Sequence, residues 1–222
     1  MSIRHKKVYN SLDVGLKDDW NDDHHYNPYD EILFCTTFVE SNFSDTWDST
    51  QTTGATGPAV SMADSHAFMV LDSTADIGDI ATIRMKLGGT AGNITQKTDT
   101  PVLTLSVRLI SPAGTGTTHE FGFFVDTDTP FTAKQKGMYF RIKDNKVYAV
   151  TGNGANETTT EIGTASEYAV YKIQITSSDV RFYIDDLDVI EATHTTYITT
   201  DELTIKYSTI ENAFLNLFFR MT

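Results

Sequence analysis

The chain has 222 residues, a formal net charge of −13 and one cysteine. That acidity argues against a nucleic-acid partner, because such affinity rests mostly on Lys and Arg neutralising phosphates. Cys35 alone excludes a disulfide framework and any all-cysteine zinc site within one chain. Hydrophobic residues make up 40% of this length, enough for one large core.

The N-terminus, Met1-Ser2-Ile3-Arg4-His5-Lys6-Lys7, is basic, but no apolar stretch follows it, so no secretory signal peptide is expected and synthesis in a cytoplasm is. The segment then turns acidic and aromatic through Asp18, Asp19, Trp20, Asp22, Asp23, His24, His25, Tyr26 and Tyr29. It shows no sustained apolar period and too little apolar surface to fold alone. Residues 1–30 therefore read as an attachment or oligomerisation arm. Its docking residues are Lys6, Lys7, Trp20, Asn21 and His24. The adjacent His24 and His25 diverge in a strand, and their reading is contact surface rather than metal ligation.

From Glu31 the pattern is that of strands. Candidates in chain order are 32–38, 67–71, 80–87, 102–110, 121–125, 137–142, 146–150, 168–176, 180–184, 203–208 and 215–221. Tyr171-Lys172-Ile173-Gln174-Ile175-Thr176 alternates apolar and polar residues, as a half-buried antiparallel strand does. Lys143-Asp144-Asn145-Lys146 reads as a tight hairpin, because Asp and Asn tolerate left-handed backbone. Ser177-Ser178-Asp179 and Asp185-Asp186-Leu187-Asp188 make two further turns. Many short strands without a helical pattern predict an all-β antiparallel sandwich or jelly roll over residues 31–222. The longest apolar-rich run, 213–219, is broken by Asn216 and falls short of the roughly 20 residues a membrane helix needs. No membrane partner is expected. Sequons at Asn42, Asn93 and Asn156 read as chance in a Ser/Thr-rich chain.

Phe34 to Trp47, Val70 to Asp79, Phe121-Gly122-Phe123, Gly137-Met138-Tyr139-Phe140 and, above all, Tyr171-Lys172-Ile173 followed by Val180-Arg181-Phe182-Tyr183-Ile184-Asp185-Asp186 resemble the strands of concanavalin A-like (laminin-G-like) jelly-roll domains. Asp186 stands where that family has glycine. The stretch Gly15 to His24, centred on Trp20-Asn21, is similar to N-terminal segments of tailed-phage and archaeal-virus virion proteins. Together these resemblances imply a non-enzymatic virion structural protein: a capsid decoration, spike, or tail or fibre appendage. Its arm would dock on other virion proteins or on sister copies in a homo-oligomer. The alternative is a lectin-like module for host or cell-surface glycans.

Enzymes of this fold include glycoside hydrolases, and retaining ones place two carboxylates about 5 Å apart across the scissile bond. The familiar families carry them as Glu-x-Asp-x-Glu on one strand, and no such run occurs here. Glu157 and Glu161 read as a solvated pair at a loop edge, and Glu120 stands alone beside His119. No enzyme activity and no resident cofactor are expected. Asp126, Asp128, Asp185 and Asp188 offer the hard oxygens calcium prefers, although turn aspartates usually bond their own backbone. For glycan contact the candidates are the rings of Tyr139, Tyr148 and Tyr168 with the amides of Asn153 and Asn156, since sugar sites combine aromatic faces with a few polar groups. Against these, most rings at 11% aromatic content fill the core, Tyr183 among them.

Overall fold

The computed structural model describes residues 34–36, 47–51, 56–63, 66–72, 81–87, 90–91, 100–108, 118–125, 131, 134–209, 213–215 and 219–221. The predicted arm, with Lys6, Lys7, Trp20, Asn21 and His24, lies outside them, as do Asp126 and Asp128. The described strands are β1 (Phe34–Thr36), β2 (Trp47–Gln51), β3 (Thr56–Ala63), β4 (His66–Asp72), β5 (Ala81–Leu87), β6 (Thr90–Ala91), β7 (Val102–Arg108), β8 (Thr118–Phe124) and β9 (Lys136–Lys143). They continue with β10 (Lys146–Asn153), β11 (Glu157–Thr164), β12 (Tyr168–Ile175), β13 (Val180–Ile184), β14 (Ala192–His194), β15 (Thr204–Thr209), β16 (Ala213–Leu215) and β17 (Phe219–Met221). No helix among the described residues is long and apolar enough to cross a membrane.

One sheet runs β1-β17-β7-β12-β13-β14, and the facing sheet runs β11-β10-β9-β8-β15-β5-β2 with β6 on β5. A third, of three strands, is β16-β4-β3. The fold is thus the antiparallel sandwich that the alternation predicts. β12 shows why: Ala169, Tyr171, Ile173 and Ile175 are buried, and the residues between them are not. They meet Phe121 and Phe123 of β8 and Met138, Phe140 and Ile142 of β9 in one core. Rings interlock the two sheets. Phe121 of β8 meets Tyr171 of β12 edge-on at 4.9 Å, and Phe140 of β9 meets Phe182 of β13 edge-on at 5.3 Å. Each such pair adds about 0.5–1.5 kcal/mol beyond its buried area.

The Asp144–Asn145 hairpin forms as read, with φ of 49° and 64°. Five described strands, β2, β3, β6, β11 and β14, fall outside the candidates read from the sequence. β3 contains Gly57-Pro58, a breaker pair, and its register shifts between Thr56 and Ala59, so the pair is absorbed as an irregularity rather than ending the strand. β2 begins at Trp47, beyond the 32–38 candidate and with no apolar alternation to mark it. β11, read as a loop edge, is an eight-residue strand at the end of its sheet. It lacks an apolar face because it is an edge, and its threonines support the extended backbone instead.

His194 of β14 ties the two sheets together. Its ring nitrogens bond Thr151 of β10 (3.1 Å) and Thr160 of β11 (2.9 Å). Burial pulls its pKa below the ordinary value, favouring a neutral ring. His119 is more extreme. It is 1% exposed, its Nδ1 lies 3.0 Å from the Tyr207 hydroxyl, and burial lowers its pKa to about 4. The unfolded chain takes up this proton near pH 6.5 and the folded one only near 4, so stability is complete above 6.5 and falls with acidification across that window. Urea unfolding should lose about 2–3 kcal/mol between pH 7.5 and pH 4.5 on account of His119. The His119→Gln variant should lose correspondingly less over the same interval.

Candidate functional site

The outer face of the larger sheet is not simply solvated. The burial of β8 is continuous from His119 to Phe124, and β9 and β10 are buried on both faces at their centres. Register places Glu120 opposite Arg141, and Arg141 opposite Tyr148. Tyr148 in turn lies opposite Glu161, so these four alternate onto the face turned away from the core. Tyr139, Val150 and Phe124 form a small apolar cluster on this side, and Tyr148 packs against it.

Arg141 organises the polar part. Its Nε donates to Glu120 Oε1 at 2.7 Å, and its Nη1 donates to Glu157 Oε1 at 2.9 Å. Its Nη2 donates to Glu157 Oε2 at 3.1 Å and to the Tyr139 hydroxyl oxygen at 2.9 Å. The Tyr139 hydroxyl donates onward to Glu157 Oε2 at 3.1 Å, and Thr159 donates to Glu157 Oε1 at 2.9 Å. The second oxygen of Glu120 accepts from the side-chain amide of Gln135 and from the Phe131 N–H at 3.0 Å. Gly152 makes room for the Gln135 backbone: a Cβ there would collide with the Gln135 carbonyl oxygen, so any larger residue would displace that segment.

Burial on its own would raise the Glu157 carboxyl pKa. The hydrogen bonds and charge of Arg141, with Thr159 and Tyr139, outweigh it and hold the pKa below the ordinary value. Burial and the neighbouring Glu120 charge drive the Tyr139 hydroxyl well above its usual range, so it stays a donor. The site at neutral pH is therefore a guanidinium clamped between two carboxylates. It contains ionised acceptors and fixed donors, but Glu157 holds no proton that it could give to a leaving group.

The sequence-derived glycan candidates do not converge. Tyr139 is fully buried with its ring stacked on Phe124 at 4.5 Å, which corrects its reading as a sugar platform. Tyr148 is partly exposed on the outer face beside Arg141. Asn153 and Asn156 occupy the exposed β10–β11 turn, where Asn153 Oδ1 accepts from Ala155 and Asn156 N–H groups at 3.0 and 2.8 Å. Tyr168 is 53% exposed but belongs to the opposite sheet, on the alternate side from buried Ala169 and Tyr171. Tyr183 is buried, its hydroxyl donating to Gln174 and its ring carrying Lys172 Nζ 4.2 Å from its centroid.

Glu157 and Glu161 part company: Glu157 is largely covered and bonds Arg141, whereas Glu161 is solvated as read, in an exposed pair with Lys146 at 2.9 Å. Of the calcium candidates, Asp185 accepts from the Val170 N–H at 2.9 Å, and the neighbouring Asp186 from the Asp188 N–H at 3.1 Å. Asp185 thus caps the neighbouring strand β12 and Asp186 bonds its own turn. Among the described residues no group of three or more His, Cys, Asp or Glu could hold a metal ion. Sequence reasoning missed Arg141 and Gln135. Arg141 had a usable signal, a lone cation inside an otherwise apolar strand.

Removing Arg141 strands a buried carboxylate, a change that typically costs about 3–5 kcal/mol. Arg141→Met should lose about that much stability in urea, and adding Glu120→Gln should recover part of it because the buried charge is then gone. Additive losses in this cycle would show that the two side chains are not coupled.

No protein-family model and no curated protein matches the chain. Solved structures do. The Bacillus licheniformis β-glucanase aligns with TM-score 0.60 at 15% identity, over 84% of this chain and 96% of that one. A Bacteroides ovatus GH16 protein of a mixed linkage glucan PUL, in complex with its product, aligns with TM-score 0.59 at 12% identity, over 86% and 99%. The carbohydrate recognition domain of Emp47p aligns with TM-score 0.52 at 11% identity, over 80% and 87%. At these identities the likeness is one of fold, and the chain has the concanavalin A-like jelly-roll fold.

Proposed function

We propose that the chain is a non-hydrolytic carbohydrate-binding module that contacts neutral glycans on the outer face of β9, β10 and β11. One observation carries this reading: Tyr148 presents a partly exposed ring flanked in register by Arg141 and Glu161, with Glu157 and Thr159 held in place on the neighbouring strand. An aromatic face for the apolar side of a pyranose, beside charged groups whose geometry is already fixed, is what sugar recognition requires. The fold neighbours, which include glucanases and a carbohydrate recognition domain, support the same reading. They comprise both enzymes and non-enzymes, so the choice between them rests on this chain's own residues. Retaining hydrolysis needs a protonated carboxyl and a free carboxylate. Here both oxygens of Glu157 are occupied and its proton affinity is lowered.

The virion-appendage reading stands as the second, carried by the Gly15–His24 stretch and the basic tip before it. In that reading the arm makes a homo-oligomer or docks on other virion proteins, and many copies turn weak glycan contacts into avidity.

In calorimetric titration with neutral mixed-linkage β-glucan oligosaccharides, the full chain should bind without releasing new reducing ends. Tyr148→Ala should weaken binding roughly tenfold, the worth of one aromatic contact. Release of shorter products would overturn the non-hydrolytic reading. Light scattering of a full-length Lys6→Glu/Lys7→Glu/Trp20→Ala variant tests the arm. The second reading requires it to lose self-association, and unchanged assembly would remove that reading's support.

A further inference from the structure

We infer that Tyr197 is a second, preorganised ring-stacking subsite for a neutral pyranose, placed where the segment 195–201 is tied to β10 and β11; this rests on the carbohydrate reading above. Tyr197 is 42% exposed and has a φ of 55°. A bulky aromatic residue in left-handed backbone is strained and persists only where its surroundings impose it. Here they do so from both sides. The Thr196 carbonyl accepts from Thr151 Oγ1 at 3.0 Å, and the Thr196 hydroxyl pairs with that of Thr158 at 2.8 Å. On the other side Ile198 packs against the core, Thr199 is 5% exposed, and its hydroxyl oxygen accepts from the Asp201 N–H at 3.1 Å. Both flanks are fixed and only the ring projects.

Among the described residues nothing stacks on that ring or bonds to its hydroxyl. A rigid, exposed ring loses little conformational entropy when a flat apolar ligand settles on it. The hydrogen-bonding groups of β11 and of the turn that precedes it suit hydroxyls. Thr158, bonded to Thr196, lies two residues beyond exposed Asn156 in β11. Asn153 in the same turn has its carbonyl oxygen fixed by two N–H donors, leaving its amide hydrogens without a partner among the described residues. Charge does not select the ligand, since Lys136, opposite Asn153 in register, is already paired with Asp201 at 2.7 Å. An apolar face on a segment anchored by hydroxyls, with the Lys136–Asp201 charges paired, fits a neutral sugar ring. The subsite is distinct from Tyr148, which faces outward from β10, whereas the Thr151 side chain that anchors Thr196 is fully buried.

The experiment is calorimetric titration of the full chain and its Tyr197→Ala, Tyr197→Phe, Tyr197→Gly and Tyr148→Ala variants with a neutral mixed-linkage β-glucan tetrasaccharide, with a melting curve for each. Tyr197→Ala should weaken binding roughly three- to tenfold, and Tyr197→Phe should stay within about twofold because the face rather than the hydroxyl is used. Tyr197→Gly should bind as weakly as Tyr197→Ala yet melt higher than wild type, because glycine relieves the left-handed strain. Wild-type affinity in Tyr197→Ala with weakened Tyr148→Ala overturns the subsite and leaves the carbohydrate reading intact. A Tyr197→Gly variant that melts lower while binding normally assigns the ring to structure and also overturns it. A wild-type chain that binds no neutral oligosaccharide overturns both.

Discussion

The covered outer face of the larger sheet depends on one guanidinium. Glu120 is 1% exposed, and a bare carboxylate at that depth is unstable unless paired and hydrogen-bonded. Arg141 supplies the charge, while Gln135 and the Phe131 N–H supply the remaining donors. The Gln135 backbone comes so close to Gly152 that a Cβ there would collide with its carbonyl oxygen, so this position needs a glycine. The same guanidinium reaches Glu157 and thereby ties the edge strand β11 to β9 across the intervening β10. A single buried cation thus links the packing of this face to the groups that stand at its rim.

That arrangement also shapes the chemistry. A pair of carboxylates can act as acid and base only when their environments push their proton affinities apart. Arg141 works against this at Glu157, where its hydrogen bonds override the effect of burial. The outcome is a set of fixed donors and acceptors around Tyr148. Fixed partners lower the ordering cost of binding a ligand that brings many hydroxyls. In the proposed second subsite the strained backbone at Tyr197 would follow the same logic, holding the ring in place before a ligand binds.

The sequence made the sandwich readable because its core strands obey a period of two. β12 and β13 are apolar toward the facing sheet and polar outward, and the Asp144–Asn145 turn announces its own left-handed backbone. The site was less readable for a physical reason. β8 and β9 are buried on both faces, so Glu120 and Tyr139 occupy outward positions that alternation assigns to solvent or to ligand. Alternation therefore offers Tyr139 as a platform, whereas its face is taken by Phe124. Glu157 reads as a loop edge because an edge strand of threonines has no apolar stripe. Its partner Arg141 lies 16 residues earlier in sequence, a separation that only the β9–β10–β11 meander brings together.

The most direct test of the account is a crystal structure of the full chain with a mixed-linkage β-glucan tetrasaccharide at saturating concentration. The account predicts an intact saccharide with one ring lying over Tyr148 and the Arg141–Glu157 ion pair unbroken beside it. A cleaved saccharide with Glu157 released from Arg141, or a saccharide bound away from both Tyr148 and Tyr197, would contradict it.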